Sequence, residues 1–423
     1  MLHNIKDNYI TSVNNYIQNF DDKSFRKLAG KDFKSWPDPL EETWRLSRLG
    51  SLSRKKIEPI SLDAQEPIMS KLNVVGSNTI KFINGAFRKD MSSNLPKGVS
   101  LIELNESESL TFLSKIKNSN LKNHPSANAS LSCTPSIVKL SVDKNAKIEE
   151  LLEIHFEGGV ESSSVHPVLF VELNENSSLS IIERFNHIGS LIMPLQLIEI
   201  KDYASLNSIK VFDDSHESYN LAAHCIIMSH KSLLNSFSLI KGSQFTRSET
   251  HAYLNGTNAK LNLNGVYISG NKQHHDLTTA IYHNVEECIS KQIVRGVLGG
   301  ESTGVFQGKV KVAPNAQKTD GQQMSKAILI SDKASANAKP ELEIYADDVV
   351  CAHGATVGEL DDDQLFYLNS RGISKDKARL ILIKAFLLDI ISESVEETLH
   401  DFIFNEAQSA LSSILKNEIE EFV

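Results

Sequence analysis

The chain has few cysteines, only four among 423 residues, and no two of them form a CxxC pair. Long stretches of sequence separate them, a pattern that suits a reducing cytoplasm rather than a disulfide framework. We therefore expect a cytoplasmic protein without structural disulfides. The four positions are Cys133, Cys225, Cys288 and Cys351.

The sequence also lacks a basic cluster and a long apolar run. Its formal net charge is −9. A chain of this charge offers little electrostatic attraction to the phosphate backbone of a nucleic acid. No stretch of about 18 apolar residues is present, which argues against a membrane-spanning helix. The first 20 residues have neither an apolar signal core nor the Arg-rich, acid-poor composition of a transit peptide. We therefore expect neither nucleic acid nor a membrane as a partner.

What the sequence does contain divides into regions of different pattern. Residues 1–50 have helical spacing, and residues 51–130 predict loops with some helix. From about 134 to 350, short β-prone runs recur about once per dozen residues without helical patterns between them. Such a pattern fits a sandwich, a barrel or a β-helix. The length of the repetitive region favours the β-helix.

The last region predicts a long helix that one small domain cannot bury. Ser374 is the predicted N-cap, and Asp376 lies in the positive first turn. The run from Leu380 to Ile383 is apolar on all sides of the helix. A helix of this kind must be buried on more than one face. The tail therefore indicates a protein partner.

One candidate site is Cys351 with His353, just before this tail. On a strand, residues two apart share a face with Cα atoms about 6.6 Å apart, so thiolate and imidazole could approach one metal. Two ligands do not complete a tetrahedral or cluster site. A Cys–His hydrolase dyad would lack its third member. Spacing alone favours a packing role, since buried Cys and hydrogen-bonded His are common.

The other candidates have structural interpretations. The glycine-rich stretch 296–312 lacks the Gly and Ser/Thr positions of a Walker loop, so we do not expect ATP binding. The acidic run 361–363 is expected to cap a short helix. A set of possible metal ligands has no diagnostic spacing and is expected to serve packing and surface polarity: His274, His275, Asp276, His283 and Cys288.

Motifs in the second half of the chain resemble the SufB/SufD family of iron–sulfur cluster assembly scaffolds. They are "RGVLGG" from Arg295, then "GVFQGKV", "AQKTDGQQ" and "ELEIYADDVVCAHGATVGEL". The resemblance is strongest over about 250–390. Trp44-Arg45 looks like the family's N-terminal Trp-basic motif, although Leu46-Ser47 departs from its usual Tyr-Thr. Gly354 followed by "TVGEL" looks like the SufD branch, in which Ser is common where this chain has Ala352.

The resemblance implies a mainly β fold, a right-handed parallel β-helix core flanked by N-terminal and C-terminal α-helical regions. We expect these regions at 1–130, 131–352 and 353–423. It also implies a non-enzymatic subunit that pairs with SufB and docks the SufC ATPase, in a complex that receives sulfur from a cysteine desulfurase system. The same complex is linked to reduced flavin and to iron acquisition.

The resemblance further implies roles for individual residues. His353 matches the SufD histidine that faces a transient iron–sulfur cluster at the SufB interface, and Cys351 is the neighbouring family cysteine. Both are therefore candidate metal ligands. Leu382, Phe386 and Leu387 are the candidate SufC-docking residues in the C-terminal helix.

Two alternatives stay open. Parallel β-helices often act on polysaccharides, but the chain has only two tryptophans for sugar stacking and no secretion signal. A SufB-type, sulfur-accepting subunit would keep the family, but the short chain and Gly354 argue against it. Whether the isolated chain forms a homodimer is also open.

Overall fold

The structure is a computed structural model that describes residues 7–37, 41–49, 52, 55–61 and 78–420. Parts of the two predicted helical regions lie outside the described residues, namely 1–6, 38–40, 50–51, 53–54, 62–77 and 421–423.

Two sheets face each other along the middle of the chain and form a parallel β-solenoid. From β11 onward the chain alternates between the sheets, and from β13 onward each strand pairs in parallel with the strand two before it in sequence. We call one strand from each sheet a rung, and the space between the sheets the lumen. The predicted β-helix core between helical regions is confirmed.

The strands are numbered in chain order. The twelve-stranded sheet consists of β1 (Glu58–Pro59), β4 (Val99–Glu103), β5 (Ile137–Val142), β7 (Ser163–Val165), β8 (Val168–Leu173), β10 (Leu191–Ile192), β11 (Leu195–Ile200), β13 (Tyr219–Met228), β15 (Phe245–Leu254), β17 (His274–His283), β19 (Thr303–Val312) and β21 (Ser335–Ile344). The ten-stranded sheet consists of β2 (Asn78–Ile83), β3 (Ala86–Phe87), β6 (Leu152–Gly158), β9 (Ser178–His187), β12 (Ser205–Phe212), β14 (Leu233–Ile240), β16 (Lys260–Ser269), β18 (Ile289–Leu298), β20 (Thr319–Leu329) and β22 (Val349–Gly358).

Side chains alternate between the lumen and the outer faces, as a period of two requires. On β16, Leu261 and Leu263 belong to the lumen core, while Asn264 faces outward and donates to Ser394 at 2.9 Å. The sequence of this strand, in which leucine and asparagine alternate from Leu261 to Asn264, predicts this arrangement, and the structure confirms it. Because the register between rungs is constant, residues of one kind stack along the lumen. Phe156, Phe185 and Phe212 do so with ring centroids 4.8 and 4.6 Å apart.

Helices cover the outer faces of both sheets. Four precede or interrupt the early strands: α1 (Asp7–Ile17), α2 (Phe25–Gly30), α3 (Glu106–Lys117) and α4 (Pro125–Cys133). They pack on the twelve-stranded sheet. Three follow the last strand: α5 (Asp362–Ser370), α6 (Lys375–Ser394) and α7 (Glu397–Glu420). Of these, α6 and α7 pack on the ten-stranded sheet. None of the described helices is long and apolar enough to cross a membrane.

The predicted starts of the C-terminal helices agree with the structure. Asp361 is the N-cap of α5, and its carboxylate accepts a hydrogen bond from the Gln364 amide at 3.0 Å. This confirms the capping role expected for the acidic run. Ser374 occupies the N-cap position of α6.

A buried ionic cluster joins the N-terminal segment to the outer face of the twelve-stranded sheet. Arg247 on β15 is 1% exposed, and its guanidinium donates to Asp276 and Glu249, each at 2.7 Å. The ring of Trp44 covers the guanidinium at 4.1 Å, and Ser47 donates to Asp276. Burial opposes the charge on Glu249, yet Arg247 and His124 hold the pKa of this carboxyl well below its usual range. The segment around Trp44 therefore docks onto a charged network.

Candidate functional site

The solenoid ends in an open rung made of β21 and β22. Each is the last strand of its sheet, and no strand in the described part of the chain pairs beyond them. Large apolar side chains are exposed there, among them Ile344 at 40% and Val350 at 65%. An open edge of this length presents unpaired N–H and C=O groups that another chain can pair with. We call β21 and β22 the terminal rung.

Cys351 and His353 lie on the terminal rung and share the lumen side of β22. Their register partners on β20 are Gly321 and Gln323, whose side of the strand is buried. Cys351 is half-buried against the lumen core, and His353 is exposed. The pairing of one inward thiol and one accessible imidazole follows from the strand period and from the absence of a further described rung above them.

This pair supplies one thiol and one imidazole, two donor types that protein metal sites use. Cys351 is a free cysteine, and burial raises the pKa of its thiol, with a lowering contribution from the Gly321 backbone and a raising one from Asp320. No group of three or more His, Cys, Asp or Glu residues able to hold a metal ion occurs within the described residues. Two donors do not complete a tetrahedral site, so a metal bound here would need further ligands from outside the part of the chain that the structure describes.

The remaining cysteines do not join this pair. Cys133, Cys225 and Cys288 are buried and free. Burial raises the pKa of Cys225 to about 12, which keeps its thiol protonated and unreactive.

The other histidine candidates have the packing roles expected of them. His275 faces the lumen, where its ring contacts Ser269 and the Gly242 carbonyl, each at 2.7 Å. His283 contacts Ser290 at 2.8 Å. Burial lowers the pKa of each to about 4. His274 lies on the opposite face of β17, 2.9 Å from Ser47.

The predicted docking residues of α6 divide between two environments. Leu387 is 1% exposed and packs against the ten-stranded sheet, so it holds α6 to its own chain. Leu382 and Phe386 are half-buried. Phe386 lies under the Arg295 guanidinium at 4.8 Å, and Arg295 also pairs with Asp389.

The sequence did not predict which apolar residues of α5 and α6 are exposed. Phe366 and Tyr367 on α5 are 73% and 57% exposed, and Ile381 and Leu388 on α6 are 44% and 42% exposed. The aromatic pair after the acidic run was the one available signal. When a helix is apolar on all sides, its sequence does not show which face packs against the sheet of the same chain.

Comparison with known proteins gives consistent matches. Residues 155–386 match the family model described as SUF system FeS cluster assembly, SufBD core domain. The iron-sulfur cluster assembly protein SufD of Escherichia coli (strain K12) is 31% identical over 275 residues, which cover 63% of this chain and 65% of that protein. An iron-sulfur cluster assembly SufBD family protein of Synechocystis is 26% identical over 84% of this chain and 83% of its own length. SufD of Bacillus subtilis (strain 168) is 32% identical over 36% of this chain and 34% of its own length.

Proposed function

Because this chain belongs to the SufBD family of iron–sulfur cluster assembly proteins, we propose that it is a SufD-type scaffold subunit that pairs with SufB and docks the SufC ATPase. The observation that carries the proposal is the terminal rung, an open sheet edge that bears Cys351 and His353 within the family-matched region. The role is that of a cytoplasmic scaffold, which turns over no substrate of its own.

The terminal rung supports pairing with SufB in two ways. Its unpaired backbone N–H and C=O groups can form hydrogen bonds with a partner's strands, which would extend both sheets into the partner. The same pairing would protect the open edge from aggregation. Its exposed apolar side chains, including Ile344, Val350 and Val357, would be removed from water by the same contact. The cluster under assembly is the cargo of this interface. His353 and Cys351 offer it an imidazole and a thiol, and SufB would complete the ligand set.

The C-terminal helices support docking of SufC. The solenoid covers one side of α6 through Leu387, Ile390 and Ile391. The other side leaves Ile381 and Leu388 exposed, and α5 adds Phe366 and Tyr367. Large exposed apolar side chains of this kind mark interaction surfaces. We therefore assign SufC docking to the exposed face of α5 and α6 rather than to Leu387.

Anaerobic co-expression with SufB and SufC tests the proposal. We expect a complex of one copy of this chain, one SufB and two SufC, identified by its mass and subunit ratio. A Val350→Asp variant serves as the matched comparison, because it places a charge on the exposed face of the terminal rung. It should lose SufB and retain SufC. Recovery of the wild-type chain alone would contradict the scaffold role.

A charge on the exposed face of α6 should weaken SufC capture. We expect Leu388→Asp to reduce the affinity for SufC by about tenfold, since burying an unpaired carboxylate at an interface costs more than 1 kcal/mol. The measurement is binding of SufC to the purified chain by calorimetry. Ser412→Asp adds the same charge at an exposed position on α7 and should bind like wild type. Equal affinity of the Leu388→Asp variant would remove α6 from the docking surface.

A further inference from the structure

A line of polar side chains runs inside the otherwise apolar lumen. On the twelve-stranded sheet, Gln196, His224, Thr250 and Thr279 occupy the same register on successive rungs. Thr279 donates across the lumen to Gln292 on the ten-stranded sheet. Successive strands are about 4.8 Å apart, so these side chains form a continuous row.

The row continues along the solenoid in both directions, toward the terminal rung and away from it. Toward the terminal rung, Gln292 is in register with Gln323, and Gln323 with His353. At the other end, Gln196 donates to Glu183 at 2.8 Å, and Glu183 pairs with Lys210 at 2.8 Å. We call this row the lumen track. It consists of Glu183, Gln196, Lys210, His224, Thr250, Thr279, Gln292 and Gln323.

Several atoms of the lumen track have no protein partner. Among the residues that the structure describes, these include Gln196 Oε1, both ring nitrogens of His224, Gln292 Nε2 and Gln323 Oε1. Their residues are at most 3% exposed. Burial, with a smaller contribution from Lys210, holds the pKa of His224 well below its usual range, so its ring is neutral and presents one donor and one acceptor. Buried groups of this kind are costly unless something hydrogen-bonds to them.

The lumen also contains space beside the His224 ring. A cavity of about 30 Å³ is lined by Lys210, His224, Thr250 and Thr279. A buried water molecule needs about 10–15 Å³ of such space and two to four polar partners. Both conditions are met here. An apolar cavity would stay dry, but this one combines the polar side chains with aliphatic ones such as Ile198, Ile226 and Leu277.

We propose that the lumen track binds a file of water molecules that reaches the terminal rung behind His353. The ligand is water, held by the unpartnered amide and imidazole atoms. Its use rests on the proposed pairing with SufB: a partner seated on the terminal rung shields Cys351 and His353 from outside solvent, and the lumen track then supplies water to the shared site from inside this chain.

The full-length chain with ¹⁵N-labelled histidine provides the test. The signal of the His224 ring N–H is assigned by its loss in His224→Gln. We expect magnetisation transfer between this proton and water, and measurable exchange with bulk water. Thr279→Val with Gln292→Leu interrupts the row between His224 and Gln323. It should slow the exchange by about tenfold, which corresponds to about 1.4 kcal/mol in the barrier.

Ser325→Ala is the matched control, because Ser325 is buried on the lumen side of β20 but lies off the row. Its exchange rate should equal that of wild type. If the double variant loses the native histidine spectrum, the nearly isosteric Thr279→Val alone carries the test. No water contact at His224, or an exchange rate that the block leaves unchanged, would overturn the inference. The experiment needs no partner, so a dry lumen leaves the SufB pairing intact, and a failed co-purification leaves this result intact.

Discussion

Replacing His353 with alanine is expected to lower the iron and sulfide content of the co-purified complex by at least about tenfold. The reason is that removal of a group that holds or orients a metal commonly lowers the metal affinity by about 10–100-fold. The imidazole is exposed on the terminal rung, so its loss opens no cavity. The stability of the isolated chain should therefore stay within about 0.5 kcal/mol of wild type. Iron and sulfide analysis after anaerobic purification, together with thermal unfolding of the isolated chain, measures both effects.

Thr356→Ala is the matched control for this experiment. Thr356 lies on the same strand as His353 and is also exposed, but it occupies the opposite face of β22. We expect it to load iron and sulfide like wild type. Normal loading of the His353→Ala complex would exclude a role for this imidazole at the cluster. Loss of SufB from that complex would instead assign His353 to subunit pairing.

Replacing Arg247 with methionine is expected to destabilise the chain by about 3–5 kcal/mol, the usual cost of removing one partner from a buried ion pair. Methionine approximates the length of the arginine stem, so little packing volume is lost. Glu249 and Asp276 would stay buried without the guanidinium that pairs with both. Urea unfolding followed by tryptophan fluorescence is a suitable measurement, since Trp44 lies directly on Arg247.

Neutralising the two acids provides the control. The triple variant Arg247→Met, Glu249→Gln, Asp276→Asn should recover most of the lost stability, because a buried pair replaced by neutral groups is often tolerated. If Arg247→Met alone unfolds like wild type, the charge network is not what holds the Trp44 segment to the sheet.

Much of the fold followed from local pattern. Alternation such as that of Leu261 to Asn264 assigns strand faces, since the side-chain period of a strand is two. The same rule predicts that Cys351 and His353 share one face, because they lie two residues apart on a strand. Strand spacing favoured a solenoid, and the cap at Asp361 followed from its position at the start of a helical segment.

The sequence did not predict which residues come together in space around the site. Gln292, Gln323 and His353 lie on successive rungs, far apart in sequence, and no local pattern reveals that they stack. Leu387 and Leu388 are neighbours in an apolar run, yet one is 1% exposed and the other 42%. Which of them meets the sheet depends on how the whole helix docks.

The sequence by itself determined strand period, helix caps, the Cys-x-His spacing and the motifs of the family, because each is a property of a few neighbouring residues. The tertiary structure alone decided that Cys351 and His353 end an open rung, which face of α6 is covered, and that polar side chains align through the lumen. These features depend on register between rungs and on docking of helices to sheets. Both are set by the summed packing energy of residues distant in sequence, which no single segment encodes.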